Sequence, residues 1–435
     1  MIMAKKFLYF QPEYVKKFKC DGSKCNARCC KGWTITIDDA TYKKYSRIKP
    51  KEKAAEILSH MKFNSERNFY VLEMEKKFEI KKLDDEKRAF SVNLDDSLSC
   101  PFLTEEKLCG IQLEYGEKFL SQTCATYPRV THKLGKFFER SLVLTCPVAA
   151  EKILFAQKPM KFNFVEVSEK VHGNHGKIGI HAKMEMSDVA AELLVKVQAA
   201  MISILQERTL PIDQRLIVLC FFIEELEEIY SRGMDEGEQR KLIAAYESKK
   251  FLAEQVPLMI QKVSFDAEKF IRLMMELFEA FYGVKEIQPD RTGHVFLNAV
   301  INTLQLHPDE NNFVSLSEVV TNYKNLVDAR KNFLEKYSTF LENYLVNELF
   351  VGLYPWIFHR RPTRSLSVFL ITYKVFELFM FAATQNNLSS KNDLLKLTDW
   401  YVNQIDHADR LKEKIFAYLE EHKDFFELME SLFDK

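Results

Sequence analysis

Across 435 residues the chain carries 62 Lys plus Arg against 62 Asp plus Glu, so no net field draws it to nucleic acid or anionic lipid, and neither partner is expected. That length accommodates two domains, each able to bury a core, and only 13 Gly and 12 Pro argue against an all-β or disordered chain. Eight of nine cysteines fall in the first 146 residues, too uneven a spread for ordinary usage.

The opening stretch, MIMAKKFLYFQPEYVKKFKC, scatters lysines among aromatics and lacks the apolar core of a secretory signal. A short strand or extended lead-in is expected over residues 1–19, in a cytoplasmic protein whose thiols stay reduced. The first cysteine block follows, with Cys20, Cys25 and the adjacent Cys29 and Cys30, then Gly32 and Trp33. Residues 33–38 alternate apolar and polar, as a strand or as the entry to a helix that Asp38 could cap. Helical spacing covers 40–62, and 68–94 alternates like short strands. Residues 100–129 hold Cys100-Pro-Phe-Leu103, Cys109-Gly-Ile-Gln112, Gly116-Glu117 and Cys124-Ala-Thr-Tyr127-Pro128-Arg129, and Thr145-Cys146-Pro147 leads into a helix.

Between Glu166 and His181 the sequence loses apolar periodicity and gains Gly173, Gly176 and Gly179 with His172, His175 and His181, which reads as a linker over 166–183. Beyond it the chain turns helical. Pro211 opens a helix that closes near Gly233, Ser264 is expected to cap the next, and Ser315 with Glu318 fits a capping box. Segments 316–349, 365–384, 391–405 and 408–432 keep 3.6-residue spacing without a fixed-length repeat. The apolar run from Ser365 to Ala383 is interrupted by Lys374 and Glu377, as in a buried helix rather than a membrane span. The expected fold is mainly α: a cysteine-rich, metal- or cluster-binding N-terminal domain with a few short strands (1–165), the linker, and an irregular helical bundle (184–435). A monomer without membrane insertion is expected.

Thiolate is the soft ligand of zinc and of iron–sulfur clusters. The C-x4-C-x3-C-C spacing lacks the paired knuckles of structural zinc, and it also misses the ferredoxin run. Adjacent Cys29 and Cys30 cannot aim their side chains alike, so one of them is expected either to serve a neighbouring site or to stand behind the ligands of the first. Metal or cluster binding by Cys20, Cys25, Cys29, Cys30, Cys100, Cys109, Cys124 and Cys146 is the expectation, cluster ahead of zinc. A disulfide framework and inert buried cysteines stand as alternatives. Eight thiolates could supply two four-ligand centres, or one with spare redox thiols.

Pro12-x-Tyr14, the Cys20-to-Trp33 block, Asp38, Cys100-x-Phe-Leu, Cys109-x-Ile-Gln112, Gly116-Glu117, Cys124-x-x-Tyr-Pro-Arg129 and Ser141-Leu with Cys146-Pro-x-Ala-Ala150 together resemble the flagellin lysine-N-methylase (FliB) family, over roughly residues 8–155. The middle block is also similar to small cysteine-rich metal-chelating proteins with C-x2-C-x2-CC-type motifs. Leu341-Glu-Asn-Tyr-Leu345 with Tyr354-Pro355-Trp356 bears a weaker similarity to the family's helical half. The resemblance implies methyl transfer from S-adenosylmethionine to lysine amines of flagellin, with a [4Fe-4S] cluster that helps bind or activate the donor.

A methylase must deprotonate, desolvate and aim the lysine amine. No G-x-G-x-x-G follows a strand here, so a Rossmann-type donor pocket is not expected. Tyr127 and Arg129 could hold lysine or the donor carboxylate, or simply lock the turn at Pro128. Asp38 is a helix cap or an acid/base, and Glu117 an exposed turn carboxylate or a guide for a cationic substrate. Trp33 is a core anchor or a shield and donor contact. His132 is a surface residue or a base. His172, His175 and His181 lack a nearby carboxylate or cysteine for a metal site, and Cys220 reads as packing. The competing function is a non-catalytic cysteine-rich metal-binding or electron-carrier protein whose helical half docks a partner; a zinc-only structural protein is a further alternative.

Overall fold

A strand at the head of the chain, β1 (Lys5–Pro12), finds its neighbours more than a hundred residues later. The computed structural model describes residues 5–22, 25, 27–31, 35–64, 69–72, 75–76, 79–80, 92–93, 98–169, 182–282, 291–306, 314–356, 361–407, 409–422 and 424–433. It divides into two units, residues 1–149 with 162–185 and residues 150–161 with 186–435.

In the first unit β1 is followed by β2 (Thr36–Ile37), β3 (Met61–Asn64), β4 (Phe69–Leu72), β5 (Glu75–Lys76), β6 (Glu79–Ile80), β7 (Val92–Asn93), β8 (Leu98–Ser99), β9 (Arg129–Leu134), β10 (Phe137–Leu142), β11 (Phe162–Glu169) and β12 (Ala182–Met184). Its helices are short: α1 (Glu13–Lys17), α2 (Asp39–Tyr45), α3 (Lys51–Ser59), α4 (Gly110–Tyr115), α5 (Gln122–Thr126) and the start of α6 (Pro147–Leu154). The main sheet runs β11-β1-β10-β9-β12. Its centre is the β9–β10 hairpin, closed by a two-residue loop in which Gly135 takes φ 51°, the left-handed conformation such loops demand. Rings pair across the strands on both faces: Phe10 with Phe162 and Phe164, and Phe7 with Phe138. A smaller β2-β4-β3 sheet borders a core of Ile35, Ile37, Tyr45, Ile48, Ile57 and Ile111 in which Cys30 and Cys100 are also buried.

The expected linker differs from what is seen. Residues 162–169 form edge strand β11 and Ala182–Met184 form β12, because β1 and β9 each need a partner for their outer ladder. Residues 170–181, with the three histidines, lie outside the described residues.

The second unit comprises α7 (Asp188–Leu205), α8 (Ile212–Ser231), α9 (Glu236–Glu247), α10 (Lys249–Lys262), α11 (Ala267–Tyr282), α12 (Arg291–Leu304), α13 (Leu316–Asn325), α14 (Val327–Val351), α15 (Pro362–Gln385), α16 (Lys391–His407), α17 (Asp409–Glu421) and α18 (Phe425–Leu432). Helix α15 is its axis, packed by α8, α12, α14, α16, α17 and α18. It is long and apolar enough to cross a membrane, yet its apolar window is 100% buried in this unit, the buried helix expected. Its two charges are answered inside the bundle. Lys374 Nζ reaches Asp213 at 2.6 Å and Glu377 at 3.0 Å, and Arg330 reaches Asp213 at 2.8 Å and Glu377 at 2.9 Å.

Two caps differ from expectation. Asp266 rather than Ser264 accepts the first amides of α11, from Glu268 and Lys269; a carboxylate one residue before the helix is better placed to reach them. Ser315 bonds Ser317 instead of an amide, and the long run after it breaks at Leu326 into α13 and α14.

Candidate metal centre

Cys29 and Cys30 lie on one 3-10 turn, Arg28–Cys30, entered through Ala27 at φ 53°. Their sulfurs are 3.8 Å apart, so the adjacent pair does not diverge as far as its sequence suggests. Cys100 is stitched to this turn: its amide donates to the Cys30 carbonyl at 2.8 Å, and Lys31 bridges Ser99. From Cys100 the chain doubles back through a Leu103–Cys109 bridge. There Gly110 donates to the Phe102 carbonyl at 2.7 Å, and a Cβ at this position would stand 3.1 Å from that oxygen. Glycine permits the approach that returns Cys109 to Cys100. Cys124 arrives on α5, capped by the Ser121 hydroxyl. Cys29, Cys109 and Cys124 pack against the core that holds Cys30 and Cys100.

These thiols raise one another. A hydrogen bond with Cys30, then burial, pushes Cys29 far above the ordinary thiol range, and Cys30 is driven up by its bond to Cys100. Burial pushes Cys124 up to about 12, with Cys109 and Cys29 adding to it. Burial also raises Cys109, but the Gln112 and Ile111 amides at the start of α4 pull it back. Tyr45 lies among them, its phenol driven up by burial and by Cys124, Cys109 and Cys100.

Cys20, Cys25 and Cys146 form a second neighbourhood. Burial pushes Cys146 up to about 11 against the Ala149 and Val148 amides that open α6, and Cys20 and Cys25 act on it in the same upward sense. Cys20, at the exposed edge, is raised by partial burial, then by Cys25 and Cys29, so Cys29 links the two sets. All nine cysteines are free thiols. No three Cys, His, Asp or Glu side chains among the described residues surround a single ion position. Burial keeps such thiols protonated until a cation or an amide donor stabilises the thiolate, and sulfur donors of this kind suit a thiophilic centre by their chemistry.

Asp38 is the cap: it accepts the Thr41 amide and hydroxyl and also the Gln122 amide. Tyr127 spends its hydroxyl on Thr145 at 3.1 Å. Arg129 is half-buried over the Phe18 ring, 5.2 Å from its centroid, while Glu117 is exposed in a short 3-10 turn. His132 corrects the surface expectation. It is only 5% exposed, because it lies on an inward face of β9 opposite buried Glu139 rather than in the turn. Trp33 lies outside the described residues. Cys220 is fully buried in α8, as expected of packing. Two residues escaped the sequence reading, Tyr45 and Arg140. Strand alternation was the available signal for the second, since Arg140 stands opposite Thr131, two residues from Arg129.

In the helical half, residues of the weaker similarity make specific contacts. Glu342 takes Arg208 and Arg215, each at 2.8 Å. The Asn343 amide caps the carbonyls of Leu154 and Ala156, and Trp356 stacks on Tyr230 at 5.2 Å.

A family model described as the FliB lysine N-methylase C-terminal domain matches residues 198–432. The chain is similar to the lysine-N-methylase of Salmonella typhimurium, 33% identical over 145 residues that make up 33% of this chain and 32% of that protein. A protein of Salmonella choleraesuis with the same name gives the same figures. The flagellar biosynthetic protein FliU of Salmonella muenchen is 32% identical over 145 residues, 33% of this chain and 75% of that protein. The match thus spans about a third of the length of the two lysine-N-methylases. No solved structure matches. With more than half of its length under the family model, the chain belongs to the FliB lysine N-methylase C-terminal domain family.

Proposed function

We propose that this protein is a protein-lysine N-methyltransferase that moves methyl groups from S-adenosylmethionine to lysine side chains of flagellin, and that its N-terminal thiols hold an iron–sulfur centre. The observation that carries this reading is the presence of eight free thiols in the first unit, five of them in or packed against one core, in a chain of a lysine N-methylase family. FliU, named as a flagellar biosynthetic protein, supports flagellin as the acceptor. A cytoplasmic location and a monomeric state belong to the same reading.

Cys29, Cys30, Cys100, Cys109 and Cys124 would hold the centre, with Cys20, Cys25 and Cys146 beside it. When bound, a cluster would supply iron as a Lewis acid towards the donor. The chain's own groups do the rest. Amides at the starts of α4 and α6 stabilise Cys109 and Cys146 as thiolates. Tyr45, its phenol held neutral, can donate to a neighbouring sulfur. Asp38, with three donors already upon it, is a positioning residue for α5 and no base. Exposed Glu117 draws the lysine ammonium in.

Protein purified without air should be brown, with a sulfur-to-iron charge-transfer band, and should label flagellin lysines from a methyl-labelled donor. An intact centre with unlabelled flagellin under reducing conditions would sink the reading and leave a metal-binding or electron-carrying protein.

A further inference from the structure

Two guanidiniums share one face of the main sheet. The hairpin register sets Arg140 opposite Thr131 and Leu142 opposite Arg129, so alternation puts Arg129, Thr131 and Arg140 on the same side. Arg140 is committed to its surroundings. Its Nε donates to Thr131 Oγ1 at 3.1 Å, its Nη2 to the Tyr9 hydroxyl at 3.0 Å, and it lies 4.3 Å over the Tyr9 ring. Arg129 differs: it rests on Phe18, and nothing among the described residues accepts a hydrogen bond from its five N–H groups. Burial and Arg140 lower its proton affinity, against the pull of Glu117, Cys20 and Cys146. A guanidinium keeps its charge throughout the working pH range, so this half-buried one, beside a second cation, is without a hydrogen-bonded anion among the described residues.

Its place in the chain says which anion. Phe18 stands two residues before Cys20. The Val143 amide donates to the Pro128 carbonyl at 2.9 Å and Tyr127 meets Thr145, which brings Cys146 beside the same turn. Two cations repel both a lysine ammonium and a sulfonium. An anion is therefore the group this pair can take, and a flat carboxylate matches the guanidinium fork. We propose that Arg129, steadied by Arg140, takes the carboxylate of the amino-acid end of the methyl donor, beside Cys20 and Cys146.

The inference rests on the methylase reading, and one binding experiment separates the two. The full-length protein, purified without air, is titrated with S-adenosylhomocysteine and with the analogue that lacks its carboxylate. The native protein should prefer the carboxylate-bearing ligand by about 10- to 100-fold. Arg129→Gln should bind both ligands as weakly as native protein binds the analogue, with its melting temperature unchanged. Arg129→Lys, which keeps charge and packing without the fork, should keep only part of the preference. An undiminished preference in either folded variant overturns the Arg129 assignment while leaving the methylase reading intact. Native protein that binds neither ligand overturns the methylase reading, and the assignment falls with it.

Discussion

Asp38 and Gln122 meet across 84 residues of sequence: the Asp38 carboxylate accepts the Gln122 amide at 3.0 Å while also accepting the Thr41 amide at 2.9 Å and the Thr41 hydroxyl at 2.8 Å. One carboxylate therefore caps α2 and anchors the first turn of α5. The Thr36 and Thr123 hydroxyls, 2.6 Å apart, add a second tie between the same segments. Because α5 carries Cys124 and α2 carries Tyr45, the pair sets where a sulfur stands relative to the phenol beside it.

Removing that carboxylate should loosen the fold. Asp38→Ala is expected to cost about 1–2 kcal/mol, the usual range for a lost cap, and Asp38→Asn less. Burial by itself would raise the Asp38 carboxyl, but the donors from Gln122 and Thr41 outweigh it and hold it below the ordinary range. A depressed folded-state value means the contribution is complete above the unfolded value near ~4 and fades as pH falls through the folded one. The stability gap between native protein and Asp38→Asn in urea titrations should therefore close below about pH 4. A gap that stays constant down to pH 2.5 (about the foot of such a titration) would rule out a charged cap.

Glu342 invites a larger effect. Its side chain is 1% exposed and satisfies Arg215, itself 4% exposed, together with Arg208 at 33%. Glu342→Gln leaves Arg215 as a buried cation without its counterion, which should cost about 3–5 kcal/mol. Arg208→Ala, closer to solvent, should cost well under half as much. Equal losses in denaturant titrations would show that burial is not what makes the carboxylate matter.

What the sequence made legible was local. Pro211 and Gly233 bracket α8, and the apolar run with Lys374 and Glu377 is α15, because propensity and periodicity act within one element. The partners of those two charges, Asp213 and Arg330, come from other helices, and no spacing rule reaches that far. The same limit hid the Cys30–Cys100 stitch and left the cysteines as a list without groups. His132 was misread because closeness to a turn in sequence says nothing of which strand face a side chain takes. Residues 166–169 looked like the way into a linker because their value as a strand depends on β1, which lies far back in the chain.

The buried quartet of Asp213, Arg330, Lys374 and Glu377 should make the helical unit acid-labile. Burial would raise Glu377, but Lys374 and Arg330 overcome it and bring the carboxyl down to about 2. Its contribution is thus present above the unfolded value near ~4.3 and lost as pH falls towards 2. Lys374→Met leaves two buried carboxylates sharing one cation, an expected loss of about 3–5 kcal/mol. Glu377 should then take up a proton more readily, so acid unfolding followed by circular dichroism should begin at higher pH in this variant. An unchanged acid midpoint would mean that Lys374 does not hold the carboxylate ionised.

Serine substitution of each cysteine in turn, with iron and sulfide measured after purification without air, reads the sulfur arrangement directly. Cys100→Ser, Cys109→Ser and Cys124→Ser should lose most of both, since each removes a sulfur from the group packed around the Cys30 core. Cys220→Ser should keep its full complement. It should nevertheless lose about 1–3 kcal/mol of stability, because a hydroxyl replaces a thiol at a fully buried site. Iron loss in Cys220→Ser, or full iron in all three of the others, would break the link between this group and the centre. Metal uptake carries a second signature. Burial holds Cys124 and Cys146 at about 12 and about 11, so both are neutral at pH 7 in the metal-free protein. Reconstitution should therefore release protons, and affinity should climb as pH rises. Uptake with no proton release would mean that the thiols had ionised before the metal arrived, contrary to their burial.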